Sequence, residues 1–593
     1  MGSLGSSVDD AIAKTMAKRT GATQHAAPPP PEGFRVLTEH SAHLLFPVDN
    51  EVFYNNAQIF NRDLSVLVAR LFLQQQRAER AEKLATRVQK WEAAKADPAK
   101  VINTEHPDPE GKGPSGARVL DALSASGMRA IRYAKELDQL SLVMANDCQA
   151  EAVESIKRNV AFNGLPNGLV EARHADAALT MMLHREPAAL RFDLVDLDPF
   201  GSPTSFLDSA VQAVSEGGML AVTCTDMAVL CGNHPEACFG KYGAMPLRGG
   251  HCHEFALRLV LGCLQTHAAR YKRYVVPYLS CSIDFYVRLF VRVYTSPQNV
   301  KYGASKLSHA YQCVDCESVE LNPLGHVVQR GNATKFTPPT FCARVAPAAL
   351  EPAVEAPAGQ AAEPAAGGRK GGKRGGEAWV EGGGKSRPKP SGFCMHCGGR
   401  LQVGGPVWNG PIHDAAFVKG TLGHLRREGA ARYTSVKKLT GLITAMSEEI
   451  PDAPMFQTLH GMSKVLGCTS PSMQLVRSAL INAGYKVSQS HTNPLAVKTD
   501  APNALLWDIM RCFVRDHPVK AGGRPSPGMR ILAKEPEHQA DFAYARGSAL
   551  PDIPRFLPNP EDNWGPKAIP GKGGKRKARG GSRALAADGK RAK

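Results

Sequence analysis

The stretch Arg118-Val-Leu-Asp-Ala-Leu-Ser-Ala-Ser-Gly-Met-Arg-Ala130 decides how the rest of the chain is read. An apolar run ends in an acid, passes through small turn residues to a glycine, and becomes helical. The unit recurs. Leu142-Val-Met-Ala-Asn-Asp147, Phe192-Asp-Leu-Val-Asp-Leu-Asp198 and Gly218-Met-Leu-Ala-Val-Thr-Cys224 are further apolar runs, with helical stretches such as residues 150–162 between them. This alternation predicts an α/β fold whose parallel sheet is covered on both faces.

In doubly wound sheets, ligands bind beyond the carboxyl ends of the strands at the topological switch point. The residues that end each strand therefore carry the information. Asp121 closes the first strand, and the small residues up to Gly127 let the backbone approach a ligand closely. Asp147 closes the second strand, twenty residues beyond Gly127, a distance that suits the two hydroxyls of a ribose. Asp176, in His174-Ala-Asp176, offers a carboxylate to an adenine amine. No G-x-G-x-x-G occurs, so a nucleoside without phosphates, such as S-adenosylmethionine, fits better than a dinucleotide. Each acid alone reads as a solvated strand end or helix cap. Three in register with the β/α pattern favour a cofactor site.

Asp196-Leu-Asp198-Pro-Phe200-Gly-Ser-Pro203 is the sharpest chemical signal. Two prolines and a glycine fix a turn directly after an acid. An exocyclic base amine is a poor nucleophile because its lone pair is delocalised into the ring. It needs an acceptor that holds its N–H while a sulfonium methyl arrives, and a carboxylate serves. A flat side chain must sandwich the extruded base. Asp198 and Phe200 supply both functions within three residues, by the logic of the D-P-P-Y loops of amino-methyltransferases.

Composition sets the bounds. A chain of 593 residues exceeds one ordinary domain. No run of eighteen apolar residues suggests a membrane span. The formal charge is +17, but two segments (residues 367–390 at +5 and 567–593 at +9) hold most of it. Any RNA surface on the folded body must therefore come from local patches. The 14 cysteines, with no secretory signal, point to a reducing compartment. The N-terminal Met1-Gly2-Ser3-Leu4-Gly5-Ser6 matches the loose myristoylation pattern, which is short enough to arise by chance.

With these motifs in order, the chain resembles the tRNA (guanine-26-N2) dimethyltransferase family, eukaryotic type, over about residues 32–565. The resemblance runs through Glu51-Val-Phe-Tyr-Asn, Asn61-Arg-Asp, the Asp121 and Asp196 segments, Thr223-Cys-Thr-Asp-Met-Ala-Val-Leu-Cys-Gly, Lys241-Tyr-Gly-Ala, Pro246-Leu-Arg-Gly-Gly-His-Cys-His-Glu and Ser490-His-Thr-Asn-Pro. It implies a Rossmann-like class I methyltransferase sheet and a second, helix-rich α+β C-terminal domain that helps hold tRNA. It implies that Asp198 accepts the target amine and that Phe200 and Phe53 stack the flipped guanine. Arg62, Asp121, Asp147 and Asp176 would line the cofactor pocket with Gly127. One departure stands out: Asn56 follows Asn55 where the family has proline. The resemblance covers mono- and dimethylguanine products alike. Alternatives are an amino-methyltransferase acting on another RNA or DNA base, or a non-catalytic tRNA-binding protein or chaperone.

The expected organisation is a disordered N-terminus (1–31), the S-adenosylmethionine-dependent methyltransferase domain (32–300), a zinc-knuckle region (301–409) interrupted by a disordered insertion (345–390), a C-terminal tRNA-binding domain (410–520) with a winged-helix-like unit, and an extension with a basic tail (521–593). From about Trp408 to Val514 the pattern returns to helices, one of them running from a Ser470-Pro471 start signal to a stop at Gly484. Cys313-Val-Asp-Cys316 and Cys394-Met-His-Cys397 are two C-x-x-C pairs, which together can close a tetrahedral zinc site. The insertion accounts for much of the gap between them, and lengthening a disordered loop costs only about 0.6 kcal/mol per doubling. Cys342 and His396 are alternative ligands. His251, His253 and Glu254 resemble a metal cluster but read better as a helix start with satisfied side chains. Arg248 reads as a phosphate contact or a cap. The tail Lys575-Arg-Lys-Ala-Arg-Gly-Gly reads as a nuclear-import or RNA-contact segment, so a nuclear monomer is expected, with a mitochondrial or plastid pool left open.

Overall fold

The computed structural model describes residues 27–48, 56–96, 105–108, 115–331, 333–339, 392–519, 526–551 and 553–557. Phe53, Cys342, the segment before residue 27, the 345–390 insertion and the tail from 558 lie outside the described residues. No helix among the described residues is long and apolar enough to cross a membrane.

The chain opens with an antiparallel hairpin, β1 (Phe34–Glu39) and β2 (Ala42–Pro47). The 37-residue helix α1 (Ile59–Lys95) follows. Strands and helices then alternate as expected: β3 (Ala117–Asp121), α2 (Met128–Glu136), β4 (Leu140–Asp147), α3 (Ala150–Phe162), β5 (Val170–His174), α4 (Ala177–Leu183), β6 (Phe192–Leu197), α5 (Thr204–Ala213) and β7 (Val214–Cys224). After α6 (Pro235–Tyr242) and α7 (Cys252–Ala269) comes the hairpin of β8 (Arg273–Ile283) and β9 (Tyr286–Thr295). The seven strands order as β5-β4-β3-β6-β7-β9-β8. The first five run parallel, and β9 enters antiparallel to β7. The chain reverses its direction of growth between β3 and β6, so the crevice beyond Asp121 and Leu197 is the switch point.

Period-two alternation sorts the strand residues onto two cores. Leu120, Val195, Leu220 and Val222 join Leu207, Val211, Phe255 and Leu259 on one face. Val119, Leu194, Met219 and Ala221 meet Leu64, Leu67 and Phe72 of α1 on the other. Each such fully buried large apolar side chain contributes roughly 1.5–3 kcal/mol. All six residues of β6 are buried, two of them aspartates. A buried acid within an apolar strand demands partners, and these partners build the site.

Beyond the sheet, β10 (Leu307–Cys313), β11 (Val319–Pro323), the hairpin β12 (His326–Arg330) and β13 (Ala333–Thr337), and β14 (Leu401–Trp408) form small sheets, with β10 central between β11 and β14. The sequence suggested that helices begin near Trp408. Instead Trp408 ends a strand paired with Leu307, and its indole donates to the Pro411 carbonyl at 2.9 Å. Helices start at α8 (Ala415–Arg432) and α9 (Val436–Glu448). Both contribute to the core around α1 through Val418, Leu422, Leu439 and Ile443. Then come β15 (Gln457–Thr458), α10 (Leu459–Leu466), α11 (Met473–Asn482), β16 (Val487–Ser490), β17 (Asn493–Thr499) and α12 (Asn503–Asp516), with sheet order β15-β17-β16. The cap of α11 is Ser472 rather than Ser470, because the hydroxyl of Ser472 accepts from Leu475 N–H.

Candidate active site

The turn after β3 is held from the neighbouring strand. Asp147 Oδ2 accepts the Ala125 N–H at 2.9 Å and Oδ1 accepts Gln149 N–H at 3.0 Å. Ala125 sits at φ 48°, a left-handed conformation that a non-glycine residue adopts only when surroundings enforce it. Gly127 caps α2 at φ 82°, and a Cβ there would meet Ile156 at 3.3 Å. Conformation and close packing thus both call for glycine. Asp121 lies beneath this turn, 2% exposed, and accepts from Ser124 Oγ at 2.7 Å. Burial pushes its carboxyl up to about 7, with Asp196 adding and Arg129 opposing. Asp176 is exposed and caps α4 through Oδ1, which accepts Leu179 N–H at 2.9 Å. Asp121, Asp147 and Asp176 thus stand at or just beyond the carboxyl ends of β3, β4 and β5. Arg62 is engaged elsewhere: its Nε donates to both Glu39 oxygens at 2.8 Å, tying α1 to the β1–β2 hairpin.

Asp198 follows β6 directly. Its side chain is 23% exposed and Oδ2 accepts from the Arg129 guanidinium and from Asn61 Nδ2, the latter at 3.2 Å. Below it lies a buried platform. Asp196 Oδ2 accepts from Tyr133 at 2.5 Å and from Arg288 Nη2 at 2.7 Å, and lies 3.5 Å from Arg129 Nη1. Ser65 Oγ accepts from both guanidiniums, at 2.7 and 2.9 Å. Burial alone would raise the Asp196 pKa, but Arg129 and Arg288 outweigh it and hold the carboxyl below its usual range. Phe200 stands 94% exposed at the rim. Gly201 N–H donates to Thr225 Oγ1 at 2.8 Å and Gly201 carbonyl accepts Thr225 N–H at 2.9 Å, which fixes the Asp198–Phe200 turn against the segment after β7.

Sequence reasoning missed Arg129, Asp196, Arg288, Tyr133 and Ser65, and did not single out Asn61 as a site residue. The signal for Arg288 was present: an arginine inside the apolar strand Tyr286-Val-Arg-Leu-Phe-Val must be neutralised by a buried acid.

The four cysteines converge. Cys313, Cys316, Cys394 and Cys397 are buried with all four sulfurs within 4.8 Å of one another. Cys313 and Cys397 sulfurs are 3.4 Å apart, and Cys316 and Cys394 sulfurs 3.6 Å. Backbone N–H groups of Asp315, His396 and Gly399 point at sulfur. A Cβ at Gly399 would crowd the buried Cys313 sulfur at 2.9 Å, so glycine here leaves room for the cluster. His251, His253 and Glu254 do not converge on one point. Glu254 is buried between Arg258 (2.7 Å) and Lys498 (2.8 Å). His253 contacts Ser282 Oγ at 2.8 Å. Arg248 grips the Gly232 carbonyl and Asn233, which close the short helix Met227–Leu230.

A parallel sheet with an antiparallel hairpin at one edge, an acid ending each successive strand and an aspartate-proline-aromatic turn at the switch point define a Rossmann-like, S-adenosylmethionine-dependent methyltransferase. The solved structure of Trm1 from Pyrococcus horikoshii with S-adenosyl-L-methionine superposes with a TM-score of 0.55 at 26% identity, covering 80% of this chain and 98% of that one. The chain belongs to the N2,N2-dimethylguanosine tRNA methyltransferase family, which it matches over residues 33–511. It is 40% identical to the Arabidopsis thaliana tRNA (guanine(26)-N(2))-dimethyltransferase 1, over 91% of this chain and 88% of that protein. It is 41% identical to the Homo sapiens tRNA (guanine(26)-N(2))-dimethyltransferase, over 91% and 78% respectively.

Proposed function

We propose that this chain transfers methyl groups from S-adenosylmethionine to the exocyclic N2 of guanine 26 in tRNA, giving N2-methyl- and N2,N2-dimethylguanine. The observation that carries this is Asp198: one carboxylate oxygen is engaged by Arg129 and Asn61, beside an exposed aromatic ring at the switch point. Oδ1 is then the acceptor for the target N–H. The bound cofactor supplies a sulfonium methyl. As the nitrogen–carbon bond forms and the sulfur–carbon bond breaks, Asp198 holds the proton that the amine sheds. Phe200, with Phe53, stacks the extruded guanine. Asp147 is assigned to the ribose hydroxyls and Asp176, through Oδ2, to the adenine amine. Asp121 and Gly127 shape the floor and turn of the pocket, and Arg62 holds its wall through Glu39. In-line alignment of amine and methyl supplies roughly 7–11 kcal/mol of the barrier reduction. The test is nucleoside mass spectrometry of tRNA treated with purified chain and labelled cofactor. Label in adenine or cytosine rather than in N2-methylated guanine would defeat the assignment.

Residues 410–520 are read as the tRNA-holding part. The order α9, β15, α10, α11, β16, β17 follows the helix–strand–helix–helix–hairpin plan of a winged-helix unit. Lys419, Arg426, Arg427 and Lys437 are exposed on α8 and α9, the kind of local basic patch that a phosphate backbone requires. Zinc is assigned to Cys313, Cys316, Cys394 and Cys397 as a structural ion. Their sulfur spacings approach the edge of about 3.8 Å expected for a tetrahedron with zinc–sulfur bonds near 2.3 Å. Cys394→Ser should lower bound zinc by about one equivalent in elemental analysis. The basic tail supports nuclear import.

A further inference from the structure

A second group of metal-ligating side chains lies away from the four-cysteine knuckle. Cys231, Cys252 and His253 bring two sulfurs and an imidazole nitrogen within 4.8 Å of one another, all three residues half-buried. Two separate elements supply them. Cys231 ends the helical turn Met227–Leu230, directly after the Thr225–Asp226 segment that braces the catalytic turn. The following residue, Gly232, at φ 89°, has its carbonyl held by Arg248 at 2.8 Å. Cys252 opens α7, where the helix N-terminus favours a thiolate. His253 follows it, and its Nδ1 contacts Ser282 Oγ at 2.8 Å.

That contact is the informative one. The contact fixes the ring orientation, and with Nδ1–H donating to that hydroxyl, Nε2 would be left to offer its lone pair to an ion. This is the outer arrangement that metal-bound histidines use. A thiol pair awaiting oxidation needs no oriented imidazole beside it. The donor set, two soft sulfurs and one imidazole, selects zinc over hard oxygen-seeking cations. A carboxylate also lies nearby, because Glu317 Oε2 accepts the Gly250 N–H at 3.3 Å, two residues before Cys252.

We propose that Cys231, Cys252 and His253 form a second zinc site, with a fourth position open to water, that staples the segment after β7 to the start of α7. Three protein ligands make it an open site, weaker than the closed four-cysteine one. It lies outside the proposed chemistry and depends on no part of the methyl-transfer assignment.

Elemental analysis of the purified full-length chain decides it. The parent should carry about two zinc equivalents, and the double variant Cys231→Ser/Cys252→Ser about one. Equal zinc in the two proteins overturns the proposal. A second measurement uses the unaltered chain: alkylation of each cysteine, read by mass spectrometry, during titration with a chelator. Labelling of Cys231 and Cys252 should rise several-fold with the first zinc released, before that of Cys313, Cys316, Cys394 and Cys397. Labelling of the pair that ignores zinc release, or recovery of a Cys231–Cys252 disulfide peptide from freshly purified protein, overturns it as well.

Discussion

Two sets of acids in this molecule sit in opposite surroundings. Between the sheet and the C-terminal helices, Glu254 and Glu449 are almost fully buried, and all four of their oxygens are answered. Glu254 takes Arg258, Lys498 and the Met455 N–H. Glu449 takes Lys498, Ser490 and His491, with His413 at 3.5 Å. At the switch point, Asp198 remains partly exposed and, among the described residues, only one of its oxygens is engaged. A buried acid with both oxygens answered by buried cations and hydroxyls is cohesion. An acid fixed by one oxygen at the carboxyl edge of a parallel sheet is free to meet a substrate.

Substitutions can break that contrast. The largest effect should follow Asp198→Ala, with methyl transfer falling about 10³-fold while tRNA binding changes little. Single-turnover kinetics alongside a binding titration measures both, and near-parental turnover would refute the assigned role. Next comes Glu449→Gln, which leaves Lys498 partly unmatched. Denaturant unfolding should show a loss of about 3–5 kcal/mol, while the folded fraction keeps its turnover number. Arg129→Lys should lower kcat about 10²-fold with a smaller change in KM, because the planar fork bridging Asp198, Asp196 and Ser65 is lost and the carboxylate drifts.

The smallest effect depends on pH and concerns Asp121. Its folded pKa, about 7, lies above the unfolded value. Below the unfolded pKa both states are protonated and the group has no effect on stability. As pH rises towards about 7 the unfolded chain releases the proton first, so stability falls, and above that value the penalty is constant. Asp121→Asn should therefore raise the thermal midpoint more at pH 8 than at pH 4, by a few degrees. An equal shift at both values would show that Asp121 is no more costly when ionised.

How much of this was legible follows from range. The strands, the acids that end them and the Asp198 turn are written locally, in apolar runs closed by small or turn-forming residues. Helix α3 matches its apolar pattern at both ends. The platform under Asp198 is not local. Arg129, Arg288 and Ser65 arrive from α2, β9 and α1, and the Arg288–Asp196 pair spans 92 positions. No window of sequence contains it, although a lone arginine in an apolar strand announces that some acid must answer. Trp408 misled for a related reason: its strand exists because β10, nearly a hundred residues earlier, offers an open edge. The cysteine pairs were readable because their ligand spacing survives any length of intervening chain.

Helix α1 carries one more consequence. Asn61 donates to Asp198, and two residues on Asp63 accepts the Ser435 N–H at 2.7 Å where α8 meets α9. The Asp198 carboxylate and the joint between those helices are thus both held from a single helical turn. Strain arriving at that joint reaches the carboxylate through two residues of rigid helix, about 3 Å along its axis. A load on that joint and the aim of the Asp198 carboxylate become one motion.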